Sequence, residues 1–317
     1  MSSTIDVIVA EVRQPAPDIR TFRLEPCHGG ELPAFSPGSH VVLELPVGGR
    51  AIRNAYSLTG SPFDRSHYRI AVRRQAASRG GSRYLHEQVS AGQVLRIGTP
   101  VNYFPFEQRA GKLLLIAGGI GITPFMSLVP MLRWYSAPVE MHYAFRHSGE
   151  AAFLEALRER LGDRLRCHES ASGRRLDVDA LLAAQPAGTQ VYVCGPQRLI
   201  DAVCTQAAAL GWPSGSVRFE QFAVDSSGLP FQVALQRDGR TLRVEAGESL
   251  LEALERHGIP LRHLCRAGVC GECRTGLLAG EAEHRDLFLS DAEKAEGRFI
   301  MPCVSRAGGD GRLVLDL

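Results

Sequence analysis

Short runs of alternating apolar and polar residues dominate the first hundred positions. Ile5-Asp-Val-Ile-Val-Ala-Glu-Val12, His40-Val-Val-Leu-Glu-Leu45 and His67-Tyr-Arg-Ile-Ala-Val-Arg73 carry the two-residue period of strands with one buried face, and Pro and Gly clusters separate them. That rhythm predicts an antiparallel β-barrel over residues 1–107. From Lys112 the pattern changes: Lys112-Leu-Leu-Leu-Ile-Ala117 is a continuous apolar run, a glycine turn follows, and helical spacing extends from Pro124 to Trp134. Strand and helix candidates then alternate through Val139 to Phe145, Ala151 to Leu161, Gln190 to Cys194 and Gln197 to Leu210, which predicts an α/β domain with a parallel sheet over residues 108–224. Val224-Asp-Ser-Ser-Gly-Leu-Pro230 reads as a linker. Beyond it, a strand pair around Gly239, a helix from Glu248 to His257 and a cysteine-bearing loop predict a compact α+β unit over residues 229–317. No internal repeat or low-complexity tract interrupts this order.

That last unit holds the most specific chemistry. Cys265, Cys270, Cys273 and Cys303 stand at C-x4-C-x2-C-x29-C, the ligand spacing of a plant-type 2Fe-2S cluster. Gly268 and Gly271 let the loop curl closely enough for backbone amides to face the sulfurs. Zinc is the competing metal, but structural zinc sites bring a second C-x2-C or a histidine pair, and neither lies nearby. Eight cysteines in 317 residues are too sparse for a disulfide framework. Cys27, Cys167 and Cys204 read as ordinary thiols.

Composition narrows the classes further. With 44% hydrophobic residues the chain can bury substantial cores, and a formal net charge of +2 with both signs interspersed gives no footprint for nucleic acid. The start, Met1-Ser-Ser-Thr-Ile-Asp6, lacks the pattern of a targeting segment, and the longest apolar stretch, Leu113 to Met126, is broken by three glycines and a proline, so no membrane span is expected. A soluble cytoplasmic protein is the expectation, which also suits unpaired thiols and a labile cluster.

Three further motifs carry candidate binding groups. Gly118-Gly-Ile-Gly-Ile-Thr-Pro124 joins a buried strand to a helix, where backbone amides can meet a phosphate, although glycines also serve such turns with no ligand. Val191-Tyr-Val-Cys-Gly-Pro196 puts Cys194 at the carboxyl edge of a later strand, the side on which open α/β sheets bind ligands; a buried small residue is the plain alternative. Arg53-Asn-Ala-Tyr-Ser-Leu58 gathers a cation, an amide, an aromatic ring and a hydroxyl on one strand, and Arg79-Gly-Gly-Ser-Arg-Tyr-Leu-His86 opens a helix with a glycine turn. Each alone is equally explained by a core tyrosine, a solvated arginine or a simple turn.

In their order and spacing, these motifs make the whole chain, from about Ile5 to Leu317, resemble the phthalate dioxygenase reductase family. The resemblance implies a flavin-binding barrel, a nicotinamide domain and a C-terminal β-grasp ferredoxin domain. It implies FMN, contacted by Asn54, Tyr56 and Ser57, by Ala71, Val72 and Arg73, and by Gly80, Gly81 and Ser82, with Thr123 and Phe222 approaching from the next domain. NADH would bind at Gly118, Gly119 and Gly121 and at Cys194, Gly195 and Pro196. One position departs from the related flavin-reductase pattern Arg-x-Tyr-Ser: Asn54 occupies the arginine position and Arg53 precedes it. Successive strand residues face opposite sides, so Arg53 need not reach the same group, and Arg73, Arg79 or Arg83 would have to supply the missing cation. Phe145-Arg-His-Ser-Gly-Glu150 offers one arginine and an acidic residue, which favours NADH over NADPH.

Nicotinamide gives up an electron pair and an iron-sulfur cluster takes one electron at a time, so a flavin between them makes the order NADH, FMN, 2Fe-2S a functional sequence. The cofactors bear the chemistry, and no catalytic acid or base is expected. A plant-type potential around −400 mV lies below nicotinamide, so forward flow needs tuning by backbone donors or an excess of oxidised acceptor. By resemblance the acceptor is the terminal oxygenase of a two-component Rieske non-haem iron system. Residues 229–317 hold 12 Lys plus Arg against 14 Asp plus Glu, a slight acidity that would orient a basic partner only weakly. The alternatives are a general NADH-dependent ferric or cytochrome reductase, and a redox-sensing electron-transfer subunit that does not turn over NADH.

Overall fold

The structure is a computed structural model that describes residues 4–48, 50–75, 80–107, 109–213, 215–222 and 228–317, the side chain of residue 50 excepted. Arg79 and residues 224–227 of the expected linker lie outside the described residues.

Six antiparallel strands build the first sheet: β1 (Thr4–Ala16), β2 (Ile19–Pro26), β3 (His40–Val47), β4 (Arg50–Ser57), β5 (Tyr68–Arg73) and β6 (Val94–Gly98), in the order β4-β3-β6-β1-β2-β5. A bridge between Leu58 and Ile70 joins the two edges, so the sheet closes as the alternation predicts. Its interior is filled by Val7, Val9, Phe22, Leu24, Leu43, Leu45, Ile70 and Val72. Helix α1 (Gly81–Glu87) packs its Leu85 into that core.

The second sheet is wholly parallel. It comprises β7 (Lys112–Gly118), β8 (Val139–Phe145), β9 (Leu165–Glu169), β10 (Thr189–Cys194) and β11 (Val217–Glu220), in the order β11-β10-β7-β8-β9. Helices α2 (Thr123–Met126), α3 (Leu154–Leu161), α4 (Val178–Ala183) and α5 (Gln197–Ala209) connect it. Both faces of β7 are buried, Leu113 and Leu115 in one core and Leu114 and Ile116 in another, which explains its unbroken apolar run.

The helix expected from Pro124 to Trp134 is broken: α2 ends at Met126, and a 3-10 helix, Val129–Trp134, follows. Pro130 has no amide hydrogen to donate and disfavours helical geometry at Val129. Likewise α3 begins at Leu154, because Phe153 takes a left-handed φ of 62°.

These two sheets belong to one compact unit, Met1–Gln221. Phe104, Phe106, Phe125 and Tyr192 pack ring against ring between them, and the Tyr192 hydroxyl accepts the Glu107 amide at 2.7 Å. The Ser127 hydroxyl, on the nucleotide-domain side, accepts the Gly38 amide of the barrel at 3.1 Å.

The second unit, Phe222–Leu317, contains β12 (Phe231–Leu235), β13 (Thr241–Val244), α6 (Leu250–Arg256), β14 (Thr275–Ala279), β15 (Ala282–Glu283), α7 (Asp291–Glu296), β16 (Phe299–Ile300), β17 (Arg306–Ala307) and β18 (Arg312–Leu315). Its main sheet runs β13-β12-β18-β14-β16, with β12 and β18 parallel and the other pairs antiparallel. Capping boxes at Ser249 with Glu252 and at Ser290 with Glu293 fix where α6 and α7 start. Among the described residues no helix is long and apolar enough to cross a membrane.

A tight backbone crossing joins the turn after β7 to the end of β10. A Cβ on Gly121 would lie 2.2 Å from the Cys194 carbonyl oxygen, and one on Gly118 would lie 2.6 Å from Pro196 Cδ. Gly121→Ala is therefore expected to destabilise the protein by about 2–4 kcal/mol in urea unfolding. Gly149→Ala, whose Cβ meets nothing within 4 Å, is the control and should shift the midpoint little.

Candidate functional site

The parallel register places Cys194 opposite Glu220 on β11 and Ala117 on β7, at the carboxyl edge of the sheet. Gly118, Gly121 and Gly195 meet there backbone to backbone, with Pro196 closing the same corner. Close packing thus accounts for these three glycines. Gly119 differs: it has a φ of 55°, and its Cβ position would lie 3.6 Å from the Arg73 guanidinium. Thr123 is buried and donates to the Ile120 carbonyl at 3.0 Å, holding the turn's shape.

On β4 the exposure alternates as the strand period requires. Asn54 and Tyr56 are half-buried on one face, while Arg53 is exposed on the other and pairs with Glu44 across the β3–β4 ladder. Asn54 Nδ2 donates to the Tyr56 hydroxyl at 3.4 Å. Gly81 abuts this face so closely that a Cβ would stand 2.2 Å from Asn54 Nδ2, and Gly80 takes a φ of 101°. The Ser82 hydroxyl accepts the Gln75 amide at 3.1 Å. Ala71 packs in the core that β7 and β8 share, Val72 lies in the barrel core, Arg73 reaches the Gly119 turn and Arg83 is exposed. Phe222 belongs to the second unit and is 47% exposed.

Two residues not singled out from the sequence complete the first site. Ser57 Oγ donates to Glu220 Oε2 at 3.4 Å, and His40 Nδ1 lies 4.0 Å from Glu220 Oε1. His40 is buried with neither ring nitrogen hydrogen-bonded, the kind of orphaned polar group that a bound ligand or water satisfies. Burial pushes its pKa down to about 4. Burial pushes the Glu220 carboxyl up to about 8, against the Ser57 hydrogen bond; the side chain's 15% exposure tempers this without reversing it. Burial and the neighbouring Glu220 hold Cys194 well above its ordinary value, so it stays a thiol. A lone glutamate ending Val217-Arg-Phe-Glu220, in register with Cys194, was the available sequence signal.

This residue set fits a flavin and a pyridine nucleotide. Asn54, Tyr56 and Ser57 offer donors, acceptors and an aromatic face beside a glycine turn, and the orphaned His40 ring marks polar capacity still to be met. A separate groove of about 380 Å³ lies on the outer barrel face among Arg13, Arg23, Arg69 and Phe153. Its cations already have partners, Arg13 with Glu11, Arg23 with Glu25 and Arg69 with His67, and it adjoins none of the residues above.

In the second unit the cysteine loop curls through three left-handed residues, Arg266 at φ 54°, Gly268 at 72° and Gly271 at 77°. It delivers two thiol pairs. Cys265 and Cys270, both half-buried, are hydrogen-bonded to each other; the buried sulfurs of Cys273 and Cys303 lie 3.3 Å apart, too far for a disulfide. Among the described residues no three His, Cys, Asp or Glu side chains converge on a single-ion site. Two pairs are instead what a two-iron cluster requires, since each iron takes two thiolates. The Cys270 hydrogen bond, aided by the amides of Ala267, Val269 and Cys270, pulls Cys265 down to about 6 against its burial. The bond to Cys303 likewise lowers Cys273, while the same two bonds raise Cys270 and Cys303. The Ala267 amide lies 3.3 Å from Cys265 Sγ, a donor that favours thiolate. His263 is bound to the Leu261 carbonyl at 2.9 Å and to Arg266 at 3.0 Å.

Two nucleotide-handling and sulfur-bearing sites on this fold define a flavin and 2Fe-2S electron-transfer oxidoreductase. Residues 233–308 match the 2Fe-2S iron-sulfur cluster binding domain, and residues 100–217 match the N-terminal domain of dimethylamine monooxygenase subunit DmmA-like proteins. The heme-dependent oxidative N-demethylase beta subunit of Ectopseudomonas mendocina (strain ymp) is 49% identical, with all of both chains covered. The crystal structure of phthalate dioxygenase reductase superposes with a TM-score of 0.80 at 34% identity, covering 99% of this chain and 98% of that one. An intact type IV self-sufficient cytochrome P450 monooxygenase matches 99% of this chain at 36% identity and TM-score 0.76, and this chain spans 41% of its length. The chain belongs to the phthalate dioxygenase reductase family.

The Glu220 environment makes a pH signature. Its folded-state pKa of about 8 exceeds the ordinary 4.5, so the stability linked to its proton is full below pH 4.5 and lost as pH rises through 8. His40, lowered to about 4, works oppositely: its contribution is present above 6.5 and lost as pH falls through 4. Glu220→Gln cannot ionise and keeps an acceptor for Ser57. Its unfolding free energy in urea should fall less between pH 4.5 and 8 than that of the wild type, by at most about 1.4 kcal/mol per pH unit. Identical slopes would contradict the buried carboxyl.

Proposed function

We propose that this chain takes electron pairs from NADH and passes single electrons to the oxygen-activating component of an oxygenase system carried on another chain. The observation that carries this reading is the occurrence, in one polypeptide, of two adjacent thiol pairs and a buried Ser57–Glu220–Cys194 corner at the carboxyl edge of the parallel sheet. When bound, flavin and cluster supply the conversion from two-electron to one-electron transfer.

The chain's own residues bind and orient. Asn54, Tyr56, Ser57 and the Gly80, Gly81 and Ser82 turn would hold the flavin, which the family resemblance makes FMN. Phe222 and Thr123 are proposed as further contacts on the same ground. Arg73 brings its cation to the Gly119 turn, where it would neutralise the nucleotide's phosphates. Arg73, at the Gly119 turn, and Arg53, paired with Glu44, then do not replace the arginine missing at position 54. Glu220 keeps a proton at its carboxyl at neutral pH, so the corner receives nicotinamide without an added negative charge. Glu169 accepts the Ser148 amide at 2.8 Å and pairs with Arg174 at 3.2 Å, which places a carboxylate beside the turn that follows β8 and supports NADH as donor. Cys265, Cys270, Cys273 and Cys303 would hold the cluster. The proposed division is residues 1–107 for flavin, 108–224 for nucleotide and 229–317 for the cluster. A cytoplasmic location belongs to the same proposal and is supported by eight unpaired cysteines.

A Rieske non-haem iron oxygenase is the partner that the family resemblance suggests. A haem protein is the second reading, favoured by the full-length similarity to the beta subunit of a heme-dependent N-demethylase. Mixing the purified chain with the oxygenase encoded beside it should give NADH consumption that depends on the oxygenase substrate, and the partner's absorption on reduction identifies haem or Rieske iron. Equal rates with ferric chelates or cytochrome c alone, and no response to the partner, would favour a general reductase.

Cys270→Ser is expected to abolish cytochrome c reduction, by at least about 100-fold, while anaerobic NADH still bleaches the flavin. Retention of cytochrome c reduction would remove the cluster from the path, and absence of flavin bleaching in the wild type would leave only a non-turnover role. Flavin released by denaturation should be FMN, as judged by chromatography; FAD would overturn that part.

A further inference from the structure

Asp286 is a buried carboxylate that no lysine or arginine side chain neutralises among the described residues. Its side chain has 0% exposure. Oδ2 accepts the Leu289 amide at 2.9 Å, and Oδ1 accepts the Ser305 hydroxyl at 3.1 Å, with His284 Nδ1 at 3.4 Å. Arg285 turns its guanidinium to Glu283, and Lys294 donates at 2.8 Å to the Asp286 main-chain carbonyl. An amide donor on Oδ2 and a hydroxyl donor on Oδ1 are contacts of the kind a carboxylate accepts. Removing such a charge from water without a cation is costly, so its presence calls for a reason other than packing.

The position of this charge supplies the reason. Gly268, in the cysteine loop, packs on Asp286 so tightly that a Cβ would stand 3.1 Å from Asp286 Cα, and the Leu287 amide donates to the Gly268 carbonyl at 3.0 Å. The Gly268 amide in turn faces the Cys303 sulfur. From the other side Ser305, two residues past Cys303, binds the carboxylate directly and accepts the Arg285 amide at 3.2 Å. Asp286 therefore sits between the two segments that bring the cluster ligands together.

We propose that Asp286 is a fixed negative charge that holds down the reduction potential of the cluster. Reduction adds an electron to an already anionic centre, and a nearby carboxylate in a poorly solvated setting opposes that addition, whereas amide donors such as Ala267 favour it. The cluster then releases its electron to the acceptor more readily than it would with the amides alone. Lys294, half-buried against the same residue, is the partial counterweight.

The inference rests on the cluster reading, and iron and sulfide analysis separates the two. The full-length holoprotein, purified anaerobically, is titrated potentiometrically with the reduced cluster read by electron paramagnetic resonance. Asp286→Asn should raise the ratio of reduced to oxidised cluster at a fixed solution potential about tenfold, equivalent to 59 mV for a one-electron couple. Lys294→Gln should change the ratio in the opposite direction by a smaller factor. A general loosening of the loop would not give shifts of opposite sign. Normal iron and sulfide with an unchanged or lowered potential in Asp286→Asn overturns the proposal. If that variant fails to assemble its cluster, Lys294→Gln decides: a downward shift supports the fixed charge, and an unchanged or raised potential overturns it.

Discussion

Four cysteine sulfurs cannot share one small, largely enclosed volume as free thiolates, because their charges repel and burial raises the cost of each. The geometry at Cys265, Cys270, Cys273 and Cys303 answers that constraint in two ways. Left-handed backbone at Arg266, Gly268 and Gly271 curls the loop, and the amide of Ala267 is turned onto sulfur. In the absence of metal each pair can share a proton, which is why one thiol in each pair is driven down and the other up. Bound iron would remove the need for those protons, with all four cysteines holding one anionic centre. The half-buried pair, Cys265 and Cys270, then faces outward more than Cys273 and Cys303 do, giving the centre a more accessible side.

The first unit meets the complementary requirement, a polar site that admits a charged nucleotide without stacking up negative charge. Burial does this at Glu220 by retaining a proton, and the same burial keeps Cys194 a thiol. The glycines around Cys194 serve mainly to let two backbones cross, and only Gly119, open toward Arg73, retains the character of a ligand-facing turn. Close packing at this motif shapes the sheet edge where the nucleotide would lie.

What was legible in the sequence follows from what each signal depends on. Strand alternation in Ile5 to Val12 and the apolar run at β7 depend on local burial, and both strands formed where they were expected. The cysteine spacing survives translation into structure because one short loop supplies three of the sulfurs. Helix extents were less legible: Pro130 and the left-handed Phe153 interrupt periodicities that apolar spacing alone suggests. His40, Glu220 and Asp286 were invisible for a different reason. Each is an ordinary residue type whose meaning comes from partners 163, 180 or 19 positions away in the chain, and only the folded register brings Ser57 to Glu220, Glu220 to His40 and Asp286 to Ser305.

Quantifying iron, acid-labile sulfide and flavin in the same anaerobically purified sample tests the central assignment most directly. Two irons, two sulfides and one flavin per chain are expected. Zinc in place of iron, or iron and sulfide absent even after reconstitution, would contradict it.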